Sequence, residues 1–379
     1  MYYLCFIYSN IIWHNMIQSL KIRNFKNLSG LNIPKLSRIN LISGKNNVGK
    51  SSLLEAIGVY IDDSELLNVV EERGEYPKYI NRDTNYLKSN EEAIASIFAN
   101  RNTSVTSDNI IEISDNEDIL LLRFVYYTEL ETEENGNIVR KAIVLDSKDD
   151  LVTEEAHLAL EIVRQGKNKA LIPLERRLDR IRFGRTKRMD FTPVIRINPE
   201  FNDNIFIGKL WDNVTLTEKE EYVIKALQII DSKVESLAFL EETPHTGRYP
   251  VVKVSGVNKR LPLRSMGDGI NHILSIILAL VNCENGCLLI DEIDNGLHYT
   301  VQKQLWSIIF KLAIKLNVQI FATTHSSDCI SSFGNVLKEE ANIAEGRYIR
   351  LENKQGSIIY TEYNLDELKI VAAQNIEIR

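Results

Sequence analysis

The chain has 379 residues and a formal net charge of −7, from 45 Lys and Arg against 52 Asp and Glu. With 44% apolar and 26% charged residues it falls in the ordinary globular range, which excludes a disordered, collagen-like or disulfide-scaffold chain and leaves one large domain or two closely joined lobes. The acidic balance argues against a wholesale nucleic-acid coat while leaving room for a local basic patch. Four cysteines, Cys5, Cys283, Cys287 and Cys329, form no C-x-x-C pair and read as buried apolar thiols in a reducing cytoplasm rather than as metal ligands.

In chain order, residues 1–15 are apolar but carry no Lys or Arg, so the charged start of a signal peptide is missing. Met16 opens a more conventional strand, "MIQSLKIRNFKNL", and the first fifteen residues read as an extension from an upstream start. Two short strands are expected between 17 and 43, built on Leu20, Ile22 and Phe25 and then Ile39, Leu41 and Ile42. "INLISGKNNVGKSSLLEAIGVYI" follows as strand, glycine loop and helix. A polar, mixed stretch from 60 to 100 leads into expected strands at 109–113, 119–127 and 138–145, an antiparallel meander with "ELETEENGN" as a hairpin tip.

Residues 151–183 carry helical spacing, with Leu171, Leu174, Leu178 and Ile181 on one face and "QGKNK" as the break, so a short helical hairpin is predicted. The segment 164–188 holds Arg164, Lys167, Lys169, Arg176, Arg177, Arg180, Arg182, Arg185, Lys187 and Arg188 against Glu175 and Asp179. It reads either as a solvated helix face or as a contact for a phosphate backbone or an acidic partner. A helix at 217–236 and a strand pair at 250–263 come next. Helix 269–281, strand 287–291, helix 300–316 and strand 318–323 then alternate, the mark of an α/β unit with a parallel sheet. The longest apolar stretch, Ile273–Val281, is about half the ~20 residues of a membrane span, so no membrane partner is expected. The division is an N-terminal lobe (17–150), a basic insert (151–204) and a C-terminal lobe (205–379).

Gly44–Ser51, "GKNNVGKS", fits the phosphate-loop pattern G-x-x-x-x-G-K-[ST], which arises by chance in on the order of one chain in a hundred of this length. Gly44 and Gly49 let backbone N–H groups of Lys45, Asn46, Asn47 and Val48 and the N-terminus of the following helix turn toward phosphate, with Ser52 a further nucleotide-binding candidate. Lys50 supplies a point charge and Ser51 a hydroxyl for Mg²⁺. "CLLIDEID" ends an apolar strand at Asp291 and Glu292, of which Asp291 would hold Mg²⁺ and Glu292 would activate water. Adjacent strand residues face opposite sides, so the two acids are unsuited to one shared role. "LRSMGDGINHI" sets Ser265, Gly267, Asp268 and Gly269 before an apolar helix, able to offer N–H groups and a helix dipole to an anion. "IFATTHSSD" ends another buried strand at His325, whose imidazole could reach a γ-phosphate.

This order resembles the ATP-binding cassette superfamily: Walker A, signature (Ser265–Gly269), Walker B with its glutamate, D-loop (Asn295–His298) and switch histidine (His325). "NFKNL", "GKNNVGKSSLLEAI", "SMGDG", "DEIDNGLH" and "FATTHSSDCI" are similar in particular to the SMC-like ATPases of the OLD (overcoming lysogenization defect) type, over about 17–60 and 205–379. The resemblance implies a P-loop head with an antiparallel β lobe and a short helical insert. It also implies ATP and Mg²⁺ as ligands and a homodimer or higher oligomer in which Walker A of one copy faces the signature of the other. Glu292 and His325 would carry the chemistry. The sequence departs from the family in two ways. No glutamine occurs between Ser19 and Arg164, and Gln165 is a poor match to the family's Q-loop. Only 54 residues follow His325, without a D-x-D pair, and Glu362, Asp366 and Glu367 are the acids near the end, so no TOPRIM nuclease domain is expected on this chain.

Three functional expectations follow from the resemblance. The first is an ATPase acting as the sensor or regulator of an anti-phage system with a separate effector, such as a TOPRIM-like nuclease. The second is a DNA-repair ATPase similar to the RecF recombination protein. The third is a slow, ATP-gated scaffold.

Overall fold

The computed structural model describes residues 16–72, 75, 86–134, 137–145, 156–175, 192–198, 204–243, 247–339 and 345–363. At its centre lies a six-stranded sheet ordered β16 (Ser357–Tyr363), β15 (Gly346–Lys354), β3 (Ile39–Ser43), β14 (Gln319–Thr324), β13 (Cys287–Ile290) and β9 (Val194–Ile197). The five strands from β15 to β9 are parallel, with Ile42 opposite Thr323 and Ile290 opposite both Ala322 and Ile197; β16 alone is antiparallel.

The sheet separates two cores because a strand alternates its side chains between faces. Ile39, Leu41, Leu288, Ile290, Ile320 and Ala322 enter one core with α6 (Asp268–Asn282), α7 (Tyr299–Lys315) and α8 (Ser327–Glu339). Ile42, Cys287, Leu289, Phe321 and Ile349 enter the other with α1 (Lys50–Ile61). Strands covered on both faces read as unbroken apolar runs, as "CLLI" does.

The second core is closed by a seven-stranded antiparallel sheet ordered β2 (Leu31–Ile33), β1 (Leu20–Arg23), β4 (Ile110–Ser114), β5 (Ile119–Glu134), β7 (His157–Arg164) and β8 (Lys167–Pro173), with β6 (Asn137–Val144) pairing β5. Thus α1 touches β9, β13 and β14 on one side and β4 on the other. A smaller sheet of β10 (Val234–Thr243), β11 (Gly247–Val254) and β12 (Leu261–Pro262) packs beside α4 (Asn204–Asp212) and α5 (Glu218–Leu227). Two further helices, α2 (Glu65–Glu72) and α3 (Tyr86–Ala95), occupy the stretch that reads as merely polar and mixed. Among the described residues no helix is long and apolar enough to cross a membrane.

The expected helical hairpin at 151–183 is corrected over 157–173, where the chain forms the β7–β8 hairpin. Gln165 and Gly166 stand at φ 51° and 70°, the two left-handed residues of a tight turn whose twist matches the strands. Leu160, Ile162 and Ile172 are fully buried against the second core. Pairing with β5, Leu160 opposite Phe124, outweighs the helical spacing of the leucines. Likewise the expected helix 217–236 ends at Leu227, and its last residues open β10. The tip of the β5–β6 hairpin, the upstream extension 1–15, and Leu178 and Ile181 lie outside the described residues.

Candidate nucleotide site

The loop from Gly44 to Gly49 leaves the carboxyl end of β3 and enters α1. Gly44 stands at φ 147°, and a Cβ there would lie 2.5 Å from the Leu351 carbonyl oxygen, so the turn requires glycine. Gly49, at φ 86°, precedes α1, and no side chain caps that helix end. An uncapped helix start next to a cradle that a Cβ would fill is the shape a phosphate fits. Lys45, Asn46 and Asn47 are exposed along the loop, Val48 is buried beneath it, and Ser51 and Ser52 are half-buried in the first turn of α1.

Lys50 is 6% exposed, and its Nζ donates to the carbonyls of Gly44 and Lys45, both at 3.0 Å. Burial pushes its pKa down, opposed by the charges of Asp291 and Glu292. Those acids follow β13. Thr323, fully buried on β14, donates from Oγ1 to Asp291 Oδ1 at 2.5 Å and accepts from the Glu292 N–H at 2.8 Å. Glu292 itself sits at φ 50°, a left-handed conformation that costs a residue with a Cβ about 1 kcal/mol. Thr324 in turn donates to Asp294 Oδ1 at 2.5 Å.

His325 follows β14 directly. Its Nδ1 is 3.5 Å from Lys50 Nζ and its Nε2 is 3.9 Å from Glu292 Oε1. Desolvation first, and then Lys50, hold its pKa below the usual value against the pull of Glu292, Asp294 and Asp291, so the ring is neutral at pH 7. An ammonium only donates, so Nδ1 is the acceptor and Nε2 carries the proton. Lys50, Asp291, Glu292 and His325 are thereby brought together by three neighbouring parallel strands at their carboxyl ends, where open α/β sheets bind ligands.

The Ser265–Gly269 segment is placed elsewhere. Ser265 is exposed in a 3-10 turn, Leu263–Met266, and donates to the Pro262 carbonyl at 2.7 Å. Gly267, at φ 101°, precedes α6, which begins at Asp268 without a side-chain cap. Since α6 belongs to the first core and α1 to the second, the two open helix starts lie on opposite faces of one sheet. Along Asn295–His298, the segment expected to be a D-loop, Asn295 and His298 are exposed.

Of the basic candidates, Arg176, Arg177, Arg180, Arg182, Arg185, Lys187 and Arg188 lie outside the described residues. Arg164 is engaged within the fold by an ion pair with Asp118 and a 2.7 Å bond to the Tyr60 carbonyl. Glu362 pairs with Arg347, while Asp366 and Glu367 are outside the described residues. Gln165 sits at the β7–β8 turn, on the antiparallel sheet and away from the parallel strand ends. A residue that sequence reasoning missed stands at those ends instead. Asn198 follows β9 level with Asp291, whose N–H donates to the Ile197 carbonyl at 2.8 Å, and the Asn198 amide donates to Glu72 Oε2 at 3.3 Å. Its signal was hidden because β9 is four residues long with an arginine at its third position. Cys283, Cys287 and Cys329 are free and buried, and no cluster of His, Cys, Asp and Glu suited to a metal occurs among the described residues.

A parallel α/β sheet with a phosphate loop, paired acids and a strand-end histidine defines a P-loop ATPase. The chain belongs to the AAA ATPase domain family, whose model matches residues 16–169 and 190–330. It is 24% identical over 353 residues to an ATP/GTP phosphatase of Helicobacter pylori, covering 86% of this chain and 89% of that protein. A 130-residue stretch is 30% identical to an uncharacterized protein of Methanocaldococcus jannaschii, over 32% of this chain and 56% of the relative. Among solved structures, an SMC head bound to the C-winged helix domain of ScpA matches with a TM-score of 0.49 at 12% identity, covering 93% of this chain and 99% of that one. The SMC head domain from Thermotoga maritima matches with a TM-score of 0.42, also at 12% identity, over 92% and 99%.

Proposed function

We propose that the chain hydrolyses ATP as an SMC-like, ABC-type head, with two copies enclosing each nucleotide between the Gly44–Ser51 loop of one and the Ser265–Gly269 segment of the other. The observation that carries this reading is the meeting of Lys50, Asp291, Glu292 and His325 at the carboxyl ends of three neighbouring parallel strands. The opposed placement of α1 and α6 supports sharing between copies, because one nucleotide cannot touch both helix starts of one chain across the sheet.

Ser51 and Asp291 would hold Mg²⁺, which would neutralise charge developing on the β- and γ-phosphoryl oxygens. Lys50 would exchange its two loop carbonyls for phosphate oxygens. Glu292 would take the proton of the attacking water, and Thr323 would keep that carboxylate aimed by holding its backbone N–H. His325, neutral with its proton on Nε2, would donate to the γ-phosphate. Asp268 and Gly269 at the start of α6, with Ser265 and Gly267, would bind the same phosphate from the second copy.

On the OLD-type resemblance the reading extends to a cytoplasmic sensor or regulator of anti-phage defence, acting through a separate effector such as a TOPRIM-like nuclease. The Arg176–Arg188 segment would be its acidic-partner or nucleic-acid contact. The name of the Helicobacter relative makes GTP the competing nucleotide, and parallel titrations with ATP and GTP separate the two.

The test is Glu292→Gln. Removing a general base costs about 10²–10⁴ in rate, so hydrolysis should fall by that factor while an ATP-bound dimer accumulates on size-exclusion chromatography. Lys50→Ala should abolish nucleotide binding. Full turnover by the Glu292→Gln protein refutes the assignment.

A further inference from the structure

The start of α6 is joined directly to the turn that carries Glu292. His272, in the second turn of α6, places Nε2 3.2 Å from the Ile293 carbonyl oxygen. A carbonyl only accepts, so Nε2 is the protonated nitrogen. One turn earlier, Gly269 approaches the D-loop so closely that a Cβ would lie 2.6 Å from the Gly296 carbonyl oxygen and 3.2 Å from Leu297 Cδ2. Two contacts, one polar and one steric, therefore seat the same helix end on residues 293–297.

Those residues form a chain of short turns. The Asn295 N–H donates to the Glu292 carbonyl at 2.9 Å, the Leu297 N–H to the Asp294 carbonyl at 3.0 Å and the Ile293 N–H to the Thr323 carbonyl at 3.0 Å. Glu292, at φ 50°, keeps a conformation that a residue with a Cβ leaves unless both sides are held. Thr323 accepts from the N–H of Glu292 itself. Among the described contacts, the side chain that holds the carbonyl of the next residue, Ile293, is His272.

We propose that His272 is a positioning residue for Glu292, and that through it the Ser265–Gly269 end of α6 and the water-activating carboxylate of the same chain move as one body. The second half of this inference rests on the two-copy reading above. Contact between the start of α6 and the partner copy's nucleotide would then be felt at this chain's own Glu292, making the two sites cooperative.

The test compares His272→Phe, which fills the space without a donor, with His272→Gln, which restores an N–H donor. A catalytic group displaced by about 1 Å loses on the order of 10²-fold in rate. His272→Phe should therefore lose about 10–100-fold in kcat with KM for ATP and ATP-induced dimerisation unchanged, and its Hill coefficient for ATP should fall to 1. His272→Gln should return kcat to within about 3-fold of wild type. Wild-type kcat in His272→Phe, or equal losses in both variants, overturns the positioning role. If His272→Phe fails to fold in a thermal melt, Gly269→Ala strains the same seam, and wild-type kcat in that variant is the overturning result. Absence of an ATP-induced dimer in the unaltered protein would fell the two-copy reading and the coupling with it, while the kcat comparison still decides the positioning of Glu292.

Discussion

Replacing Thr323 by valine isolates the hydrogen bonds that organise the Walker B turn. The side chains have the same shape and Thr323 is fully buried, so packing and the β14 backbone persist while one hydroxyl is lost. That hydroxyl donates to Asp291 at 2.5 Å and accepts from the Glu292 N–H at 2.8 Å. A hydrogen bond to a charged group contributes about 1.5–3 kcal/mol, and a buried N–H left without a partner costs about 1–3 kcal/mol. Asp291 and Glu292 are only half-buried, so water recovers part of this, and a net destabilisation of about 2 kcal/mol is expected. Carried into the transition state, 2 kcal/mol corresponds to about 30-fold in rate. Urea denaturation and steady-state ATP hydrolysis read the two quantities, and Thr323→Ser, which keeps the hydroxyl, should stay within about 1 kcal/mol and 3-fold of wild type. A Thr323→Val protein with unchanged kcat and less than about 0.5 kcal/mol of destabilisation would refute the role of this hydroxyl.

If the site is shared between two copies as proposed, Ser265→Arg and Lys50→Ala proteins, each inactive alone, should recover part of the ATPase activity when mixed, because one intact site re-forms per mixed dimer; no recovery counts against sharing. Burial raises Cys283 and Cys329 to about 12 and Cys287 well above its ordinary value. The thiolate is the reactive form, so labelling at pH 8 followed by mass spectrometry should find these three cysteines unmodified in native protein and modified in urea. Desolvation, the largest influence on His272, holds its pKa below 6.5 against weaker pulls from Ile293, Asp294 and Glu292. Below pH 6.5 the unfolded chain then binds a proton that the native ring refuses, so stability falls as pH drops, by at most ~1.4 kcal/mol per pH unit from this ring. His272→Gln should flatten that fall between pH 7.5 and 5.5 in urea titrations, and an unchanged slope would contradict it.

The nucleotide loop and the C-terminal alternation of helix and strand are legible in the sequence because their physics is local. Gly44 and Gly49 mark backbone that only glycine adopts easily, and "CLLI" is apolar on both faces while "QIFATT" carries its apolar Ile320, Phe321 and Ala322 at the centre. Other elements are hidden by charges whose partners lie far along the chain. Arg196 in β9 pairs with Glu72, and Arg347 in β15 pairs with Glu362, so both strands look too polar to be buried. The β7–β8 hairpin misleads for the opposite reason, since its leucines fit helical spacing and only the register with β5 distinguishes the two. In the candidate site, Lys50, Asp291, Glu292 and His325 are recognisable as types, whereas the roles of Thr323, Asn198 and His272 depend on neighbours that no pattern announces.

The central position of β3 also governs when the chain can acquire a nucleotide site during synthesis. Its two neighbours, β14 and β15, are encoded only at residues 319–324 and 346–354. At about 5–20 residues per second, residues 39–43 wait on the order of 15–60 s for the first of them. Throughout that interval the strand that leads into Gly44 has both edges open, the arrangement from which misassociation starts. Such long-range parallel pairing makes folding slow relative to local helix formation. Nucleotide binding is therefore expected only of a chain whose synthesis has passed β14, and fragments ending earlier should carry the phosphate-loop sequence without the pocket.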